Sequence, residues 1–198
     1  MPPDPDRQDL GAVAWPVRTE RLTIRPATVA DTDATYAIRR LPEVHRWLSG
    51  APHDPASYAE QFADPVRLAK TLVIEREGVV VGELMLSLED AWAQSEVREL
   101  ARRVQAEFGW LLDPGAQGCG YAAEAVEALI RVCFEELGLR RVVAHCFADN
   151  VASWRLMERL GMRRETHNVR ESLHRSGEWL DGLGYALLAD EWRSRRRP

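Results

Sequence analysis

The chain has 198 residues and 26 basic side chains, yet Lys70 is its only lysine. That scarcity reads as a compositional bias toward arginine, with no function attached. It holds three cysteines, Cys119, Cys133 and Cys146, an odd number falling in what read as a loop, a helix and a strand. This excludes a disulfide framework and points to a reducing, cytoplasmic compartment. No apolar run approaches the roughly 20 residues needed to cross a membrane. The opening MPPDPDRQDLG is rich in proline and aspartate and is not a signal peptide. Positive charge is not in excess, because the formal net charge is -5, so no global basic field argues for nucleic acid. The short basic ending RSRRRP reads as a solvated tail, with a nucleic-acid contact as the sharper alternative. Internal repeats and long low-complexity segments are also missing. The length suits one domain with a real core. The expected layout is a disordered leader over 1–17, a single domain over 18–193 and a basic tail over 194–198.

What is present is organised around Trp110 to Leu137, WLLDPGAQGCGYAAEAVEALIRVCFEEL. Trp110-Leu111-Leu112 ends a strand that Asp113-Pro114-Gly115 breaks. Gln117-Gly118-Cys119-Gly120-Tyr121-Ala122 then enters a helix whose Ala122, Val126, Leu129, Ile130, Cys133 and Leu137 form one apolar stripe. Glu124, Glu127, Arg131 and Glu135 lie on the opposite side. A strand, a glycine-rich turn and a helix N-terminus together suit a phosphate, because the first helical amides have no internal acceptor and the dipole is positive there. Glycines let a diphosphate approach the backbone. The loop lacks the Lys-Ser/Thr ending of an ATP-type phosphate loop and the three-glycine spacing of a dinucleotide fold. A tight turn without a ligand is the plain alternative.

The remaining pattern alternates strands and helices. A strand is expected at Arg21–Pro26, and a helix from an Asp31 cap to about Arg40. Short helices follow at Glu43–Leu48 and after Asp54-Pro55, where a substrate could be gripped. Thr71–Glu75 and Val79–Leu88 read as a hairpin about Glu77-Gly78. Ser95–Arg103 has helical spacing within an excursion from Glu89 to Gln105, and a strand resumes from Gln105 to Leu112. Arg140–Phe147 reads as a strand, and Asn150 as the cap of a helix from Val151 to Leu160 that Gly161 ends. Met162–Leu173 and Trp179–Leu188 read as an antiparallel hairpin. With Trp179 and Trp192 it could join a homodimer, ordinary packing being the alternative.

Eight segments, in order, resemble one family: TERLTIRP from Thr19, Pro42-Glu43-Val44, VVVGELML from Val79, AEFGWLLDP from Ala106, QGCGYAAEAV from Gln117, FEELGLRRV from Phe134, DNVASWRLMERLGM from Asp149 and SGEWLDGLGYALLADEW from Ser176. Gln117-x-x-Gly120-x-Ala122 looks like the acyl-coenzyme-A loop of the Gcn5-related N-acetyltransferases (GNAT), with pattern Gln/Arg-x-x-Gly-x-Gly/Ala. The whole is similar to the RimJ/RimL branch, the ribosomal-protein N-terminal acetyltransferases. The resemblance implies an α/β (α+β) acyltransferase fold, a mixed, mostly antiparallel sheet with helices on both faces. It also implies acetyl-coenzyme A as co-substrate, no metal, and direct transfer to a primary amine. A protein N-terminus is the leading acceptor; an aminoglycoside or polyamine, or a non-catalytic acyl-coenzyme-A sensor, is the alternative. Membrane and nucleic-acid partners are not expected.

Residue roles follow by resemblance. The donor would contact the strand Trp110, Leu111 and Leu112, the loop Gln117, Gly118, Cys119, Gly120, Tyr121 and Ala122, then Asn150 and Arg155. Asn150 carries two readings, helix cap and partner of the pantetheine arm; Arg155 is either a phosphate ligand or a solvated arginine. The tyrosine that often protonates the leaving thiolate falls at Met157, which cannot donate a proton, so Ser153 is the candidate acid. Glu107, preceding Phe108-Gly109, is the candidate base, against an exposed or salt-bridged carboxylate; Glu83 and Glu89 compete with it. His145 is expected in the core, and Cys119 as filler.

Overall fold

A computed structural model describes residues 10–195 of the chain. The packing divides into two compact units. One comprises Ala14–Leu86 and Gly109–Ala128. The other comprises the described residues of Met1–Val13, Ser87–Phe108 and Leu129–Pro198. Residues 1–9 and 196–198 of the expected leader and tail lie outside the described residues. Leu10–Ala12, placed in that leader, forms one turn of 3-10 helix, and Val13 and Val17 are buried.

In the first unit, β1 (Val17–Arg18), β2 (Thr23–Pro26), β3 (Thr71–Arg76) and β4 (Val79–Glu89, to Leu86 within this unit) pair antiparallel in that order. The turn between β3 and β4 puts Glu77 at φ 52° and Gly78 at φ 80°, the two left-handed residues that a tight hairpin requires. Thr71, Leu72, Val73 and Ile74 are all buried, so β3 is covered on both faces. Between β2 and β3 run α1 (Thr32–Arg39), α2 (Pro42–His45), α3 (Pro55–Phe62) and α4 (Pro65–Leu68). Three of these start on proline, whose missing amide costs nothing at a first helical position. Asp54 caps α3 by accepting from the Ala56 and Ser57 amides, each at 3.0 Å. Asp64 does the same for α4, at 2.9 and 3.0 Å. Asp31 is not the simple cap that its spacing suggests. Its carboxylate turns back to the Thr28 amide at 2.8 Å and takes two bonds from Arg25, because it is buried and needs a counter-ion. Ala27, Tyr58, Phe62 and Val73 form one core cluster, and Ile38, Val44 and Leu111 another. β5 (Gln105–Leu112) enters this unit at Gly109, and α5 (Tyr121–Arg131) starts in it.

In the second unit β5 pairs parallel with β6 (Arg141–Phe147). β6 pairs antiparallel with β8 (Trp179–Leu188), and β8 with β7 (Arg163–Leu173). The expected mixed, mostly antiparallel pairing is therefore found. α5 continues as a π-helical turn over Val132–Glu136. α6 (Val151–Arg159) ends at Gly161, φ 79°. The chain closes with α7 (Ala189–Arg195), a helix in residues beyond the expected strand end at Leu188 that runs into the expected tail. Trp192 of α7 is buried with its ring 5.6 Å from Phe134, so this tryptophan is ordinary packing, whereas Trp179 is exposed. The excursion after β4 is a 3-10 segment, Ser95–Ala101, tied down where the Arg103 amide donates to Asp90 at 2.8 Å. His145 is exposed rather than in the core. Its cross-strand partner on β8 is Gly184, which offers no side chain to cover it.

Candidate functional site

In the first unit β4 and the end of β5 run so close that a side chain on Gly82 would collide with the Leu111 carbonyl. The Asp113 amide donates to Val81 at 2.9 Å, and then Pro114 starts one 3-10 turn over Pro114–Ala116. Gln117 folds back, its side-chain amide donating to the Leu112 carbonyl at 3.2 Å. Gly118 at φ 75° and Gly120 at φ 82° make bends that an L side chain rarely adopts. The Glu124 amide closes on the Gly120 carbonyl at 3.1 Å as the helix begins, leaving the preceding helical amides outside the ladder. The loop thus offers unshared amides at the positive end of a helix dipole, the arrangement that binds phosphate. Leu111 and Leu112 are buried, so their side chains serve the core; Trp110 and Ala122 are half-buried and Cys119 is exposed.

The loop is anchored by residues that the sequence reading left unassigned. Glu124, expected on a solvated face, accepts from Thr19 Oγ at 2.5 Å, the Arg21 amide at 2.9 Å and Arg21 Nε at 2.7 Å. Arg21 also donates to the Cys119 carbonyl at 3.0 Å and lies 4.7 Å from the centre of the Tyr121 ring. Burial works to raise the Glu124 carboxyl, but these donors outweigh it and hold it below the ordinary carboxylate range. The signal was present: Thr19 and Arg21 sit in one resembling segment and Glu124 in another, but spacing alone does not join residues 105 and 103 positions apart.

In the second unit Asn150 Oδ1 accepts from the Ser153 amide at 3.3 Å, so the cap bond is made. The Ser153 side chain hydrogen-bonds the Cys146 thiol, which burial pushes up to about 11. Met157 is fully buried and serves the core. Arg155 is exposed, 5.5 Å from the Trp154 ring, and Trp154 Nε1 donates to the Ala148 carbonyl at 3.0 Å. Tyr185 is no free acid either, since its hydroxyl donates to Glu158 at 2.9 Å and accepts from Arg164 at 2.8 Å. Glu107 is half-buried on β5, opposite Val143 of β6, and its carboxylate makes no hydrogen bond or ion pair among the described residues.

Of the competing carboxylates, Glu83, back in the first unit, is buried, and Arg39 donates to both its oxygens at 2.8 to 3.0 Å. A carboxylate so occupied keeps about one of its four lone-pair sites and is tied up as the counter-ion of Arg39. Glu89 is half-buried. Among the described residues no group of three His, Cys, Asp or Glu side chains is placed to hold a metal ion, and no helix is long and apolar enough to cross a membrane.

Comparison with known proteins matches residues 21–163 to the acetyltransferase (GNAT) domain family. An uncharacterized N-acetyltransferase of Bacillus subtilis, YnaD, is 40% identical over 86 residues, which are 43% of this chain and 50% of that one. The chain thus spans half the length of that relative. The crystal structure of a GNAT-family acetyltransferase from Bacillus anthracis is 27% identical, covers 89% of this chain and 100% of its own, and superposes with a TM-score of 0.75. Mycobacterium smegmatis RimJ, solved in complex with a coenzyme A disulfide, has a TM-score of 0.69 at 24% identity over 86% of this chain and 83% of its own, a likeness of fold.

Proposed function

The chain belongs to the acetyltransferase (GNAT) domain family, and from that premise we propose that it moves the acetyl group of acetyl-coenzyme A directly to a primary amine. The observation that carries this reading is the loop bent at Gly118 and Gly120, with open amides at the start of α5 and a strand end beside it. Gly118 to Ala122 hold the diphosphate through their amides, and Gln117 braces the loop from behind. The backbone of Trp110, Leu111 and Leu112 pairs with the pantetheine amides, with Asn150 and Arg155 as further donor contacts. A backbone amide of the strand from Phe108 polarises the thioester carbonyl where negative charge develops. Glu107, directly or through water, takes the proton of the attacking ammonium, and Ser153 returns one to the departing thiolate.

A protein N-terminus is the leading acceptor, by likeness to the RimJ/RimL branch. Aminoglycosides or polyamines compete with it, and a non-catalytic sensor of acyl-coenzyme A is the rival from another class. Calorimetric titration with acetyl-coenzyme A, followed by thiol release in the presence of amines, separates them. Saturable binding with amine-dependent release is expected. Binding without release from any amine makes the protein a sensor, and no binding by a folded sample overturns the reading.

A further inference from the structure

The helices between β2 and β3 carry two half-buried arginines, Arg39 and Arg67. Arg39 of α1 and Glu83 of β4 neutralise one another through three hydrogen bonds. Arg67 of α4 lies near them, within reach of the Glu83 charge. Its guanidinium sits 4.9 Å from the centre of the Tyr58 ring and 5.2 Å from that of Phe62, and among the described residues its one side-chain hydrogen bond runs to the Tyr58 hydroxyl at 3.3 Å. That hydroxyl is already committed to Thr35 Oγ at 2.9 Å. Among the described residues no carboxylate pairs with Arg67. Asp64, on the same short helix, spends its carboxylate on the helix amides. Burial, and the positive charge of Arg39 next to it, lower the Arg67 guanidinium from its ordinary value. A half-buried cation carried on two aromatic faces, with donors to spare, is able to take an anion in a two-bond contact.

Its position says which part of a ligand it would meet. The Val81 carbonyl of β4 accepts the Asp113 amide next to the glycine loop. Met85, four residues on and so about 13 Å along the strand, pairs with Thr71 and lies against Gly109. Thr71 donates its hydroxyl to the Arg67 carbonyl at 2.7 Å. Arg67 therefore stands at the end of β3 and β4 remote from the loop. A donor with its diphosphate in the loop and its arm along the strand presents its reactive end in that direction. This rests on the acetyltransferase reading above. We infer that Arg67 binds a carboxylate of the acceptor, so that the acceptor is an amine that carries a carboxylate in the same molecule.

Arginine suits this because its planar fork pairs a carboxylate with two parallel bonds. Two sources supply the chemistry: a free amino acid, or a peptide with an acidic residue next to its N-terminal amine.

The test follows coenzyme A release from acetyl-coenzyme A with acceptors matched in pairs. One set holds free amino acids and their carboxamides; the other holds short peptides with Asp or Glu in second position and the same peptides with Asn or Gln. The carboxylate member of one set should be favoured about tenfold in kcat/KM, mostly in KM. Arg67→Gln should bring that preference to near unity while acetyl-coenzyme A affinity stays unchanged, and Arg67→Lys should restore part of it. Which set shows the preference identifies the source. Equal or better turnover of the neutral members overturns the inference, as does a preference that survives Arg67→Gln, or no turnover of any carboxylated acceptor by protein that binds acetyl-coenzyme A. Failure of the wild-type protein to bind acetyl-coenzyme A overturns the acetyltransferase reading and this inference with it.

Discussion

Arg21 and Glu124 lie 103 residues apart in sequence and meet at 2.6 Å, where the guanidinium also reaches the Cys119 carbonyl of the glycine loop. A bend at two left-handed glycines has many conformations in a free chain, and this clamp selects one of them. Glu124→Gln removes the charge but keeps the shape. Acetyl-coenzyme A affinity should fall about tenfold as the loop loses its preorganisation, with a small change in thermal midpoint. An isotherm indistinguishable from wild type would remove the clamp from donor binding.

The Arg25–Asp31 pair gives a prediction about acid. The Arg25 guanidinium, at 2.8 and 2.9 Å, holds the Asp31 carboxyl below the ordinary carboxylate range despite burial, helped by the Thr28 amide and hydroxyl. A carboxyl depressed in the folded state binds its proton less readily there than in the unfolded chain. Its contribution is therefore full above the unfolded value of about 3.9 and is lost as pH falls through the folded one. Asp31→Asn should lose about 1 to 3 kcal/mol at neutral pH. Its urea midpoint should also fall less than that of wild type between about pH 5 and about pH 2. Equal acid sensitivity in the two proteins would place the effect elsewhere.

Arg39 and Glu83 form the more deeply buried pair. Burial works to lower the Arg39 guanidinium, and the Glu83 charge and hydrogen bonds outweigh it. Removing one partner strands the other. Glu83→Gln should cost about 3 kcal/mol in urea denaturation, and Arg39→Met a similar amount. The double substitution Arg39→Met with Glu83→Leu should recover much of that loss, since no uncompensated charge remains. Additive losses in the double variant would contradict this account.

Glu107 and Ser153 make separable contributions if the proposed roles hold. Glu107→Gln should lower kcat by about 100-fold or more with acetyl-coenzyme A affinity retained. Ser153→Ala should slow the chemical step less, because water can protonate the thiolate. Single-turnover rates under chemistry-limited conditions measure both. Wild-type rates for either variant remove that residue from the mechanism.

Much of this was legible because it is local. The strand Gln105–Leu112 has the bounds its sequence suggests, and the hairpin turn at Glu77-Gly78 and the helix stop at Gly161 announce themselves in the residue types that left-handed backbone demands. α4 carries in Asp64-Pro65 the same helix-start signal that Asp54-Pro55 gives α3. α7 was hidden because β8 runs straight into it, and helical periodicity over seven residues is two turns at most.

The sequence by itself determined the order of strands and helices, the glycine loop and the placing of Asn150 before α6, since each depends on neighbours along the chain. Tertiary structure alone decided which charges became partners. Glu124 and Glu127 look alike on the helix, yet Thr19 and Arg21 hold the first and solvent takes the second. Glu83 reads as a strand carboxylate until Arg39 closes over it, and His145 reads as a core residue until Gly184 arrives opposite with nothing to cover it. Backbone conformation is set by steric limits within a few residues. A charge or a polar ring finds its counterpart only when distant segments are packed, because what decides it is the cost of leaving that group buried and unpaired.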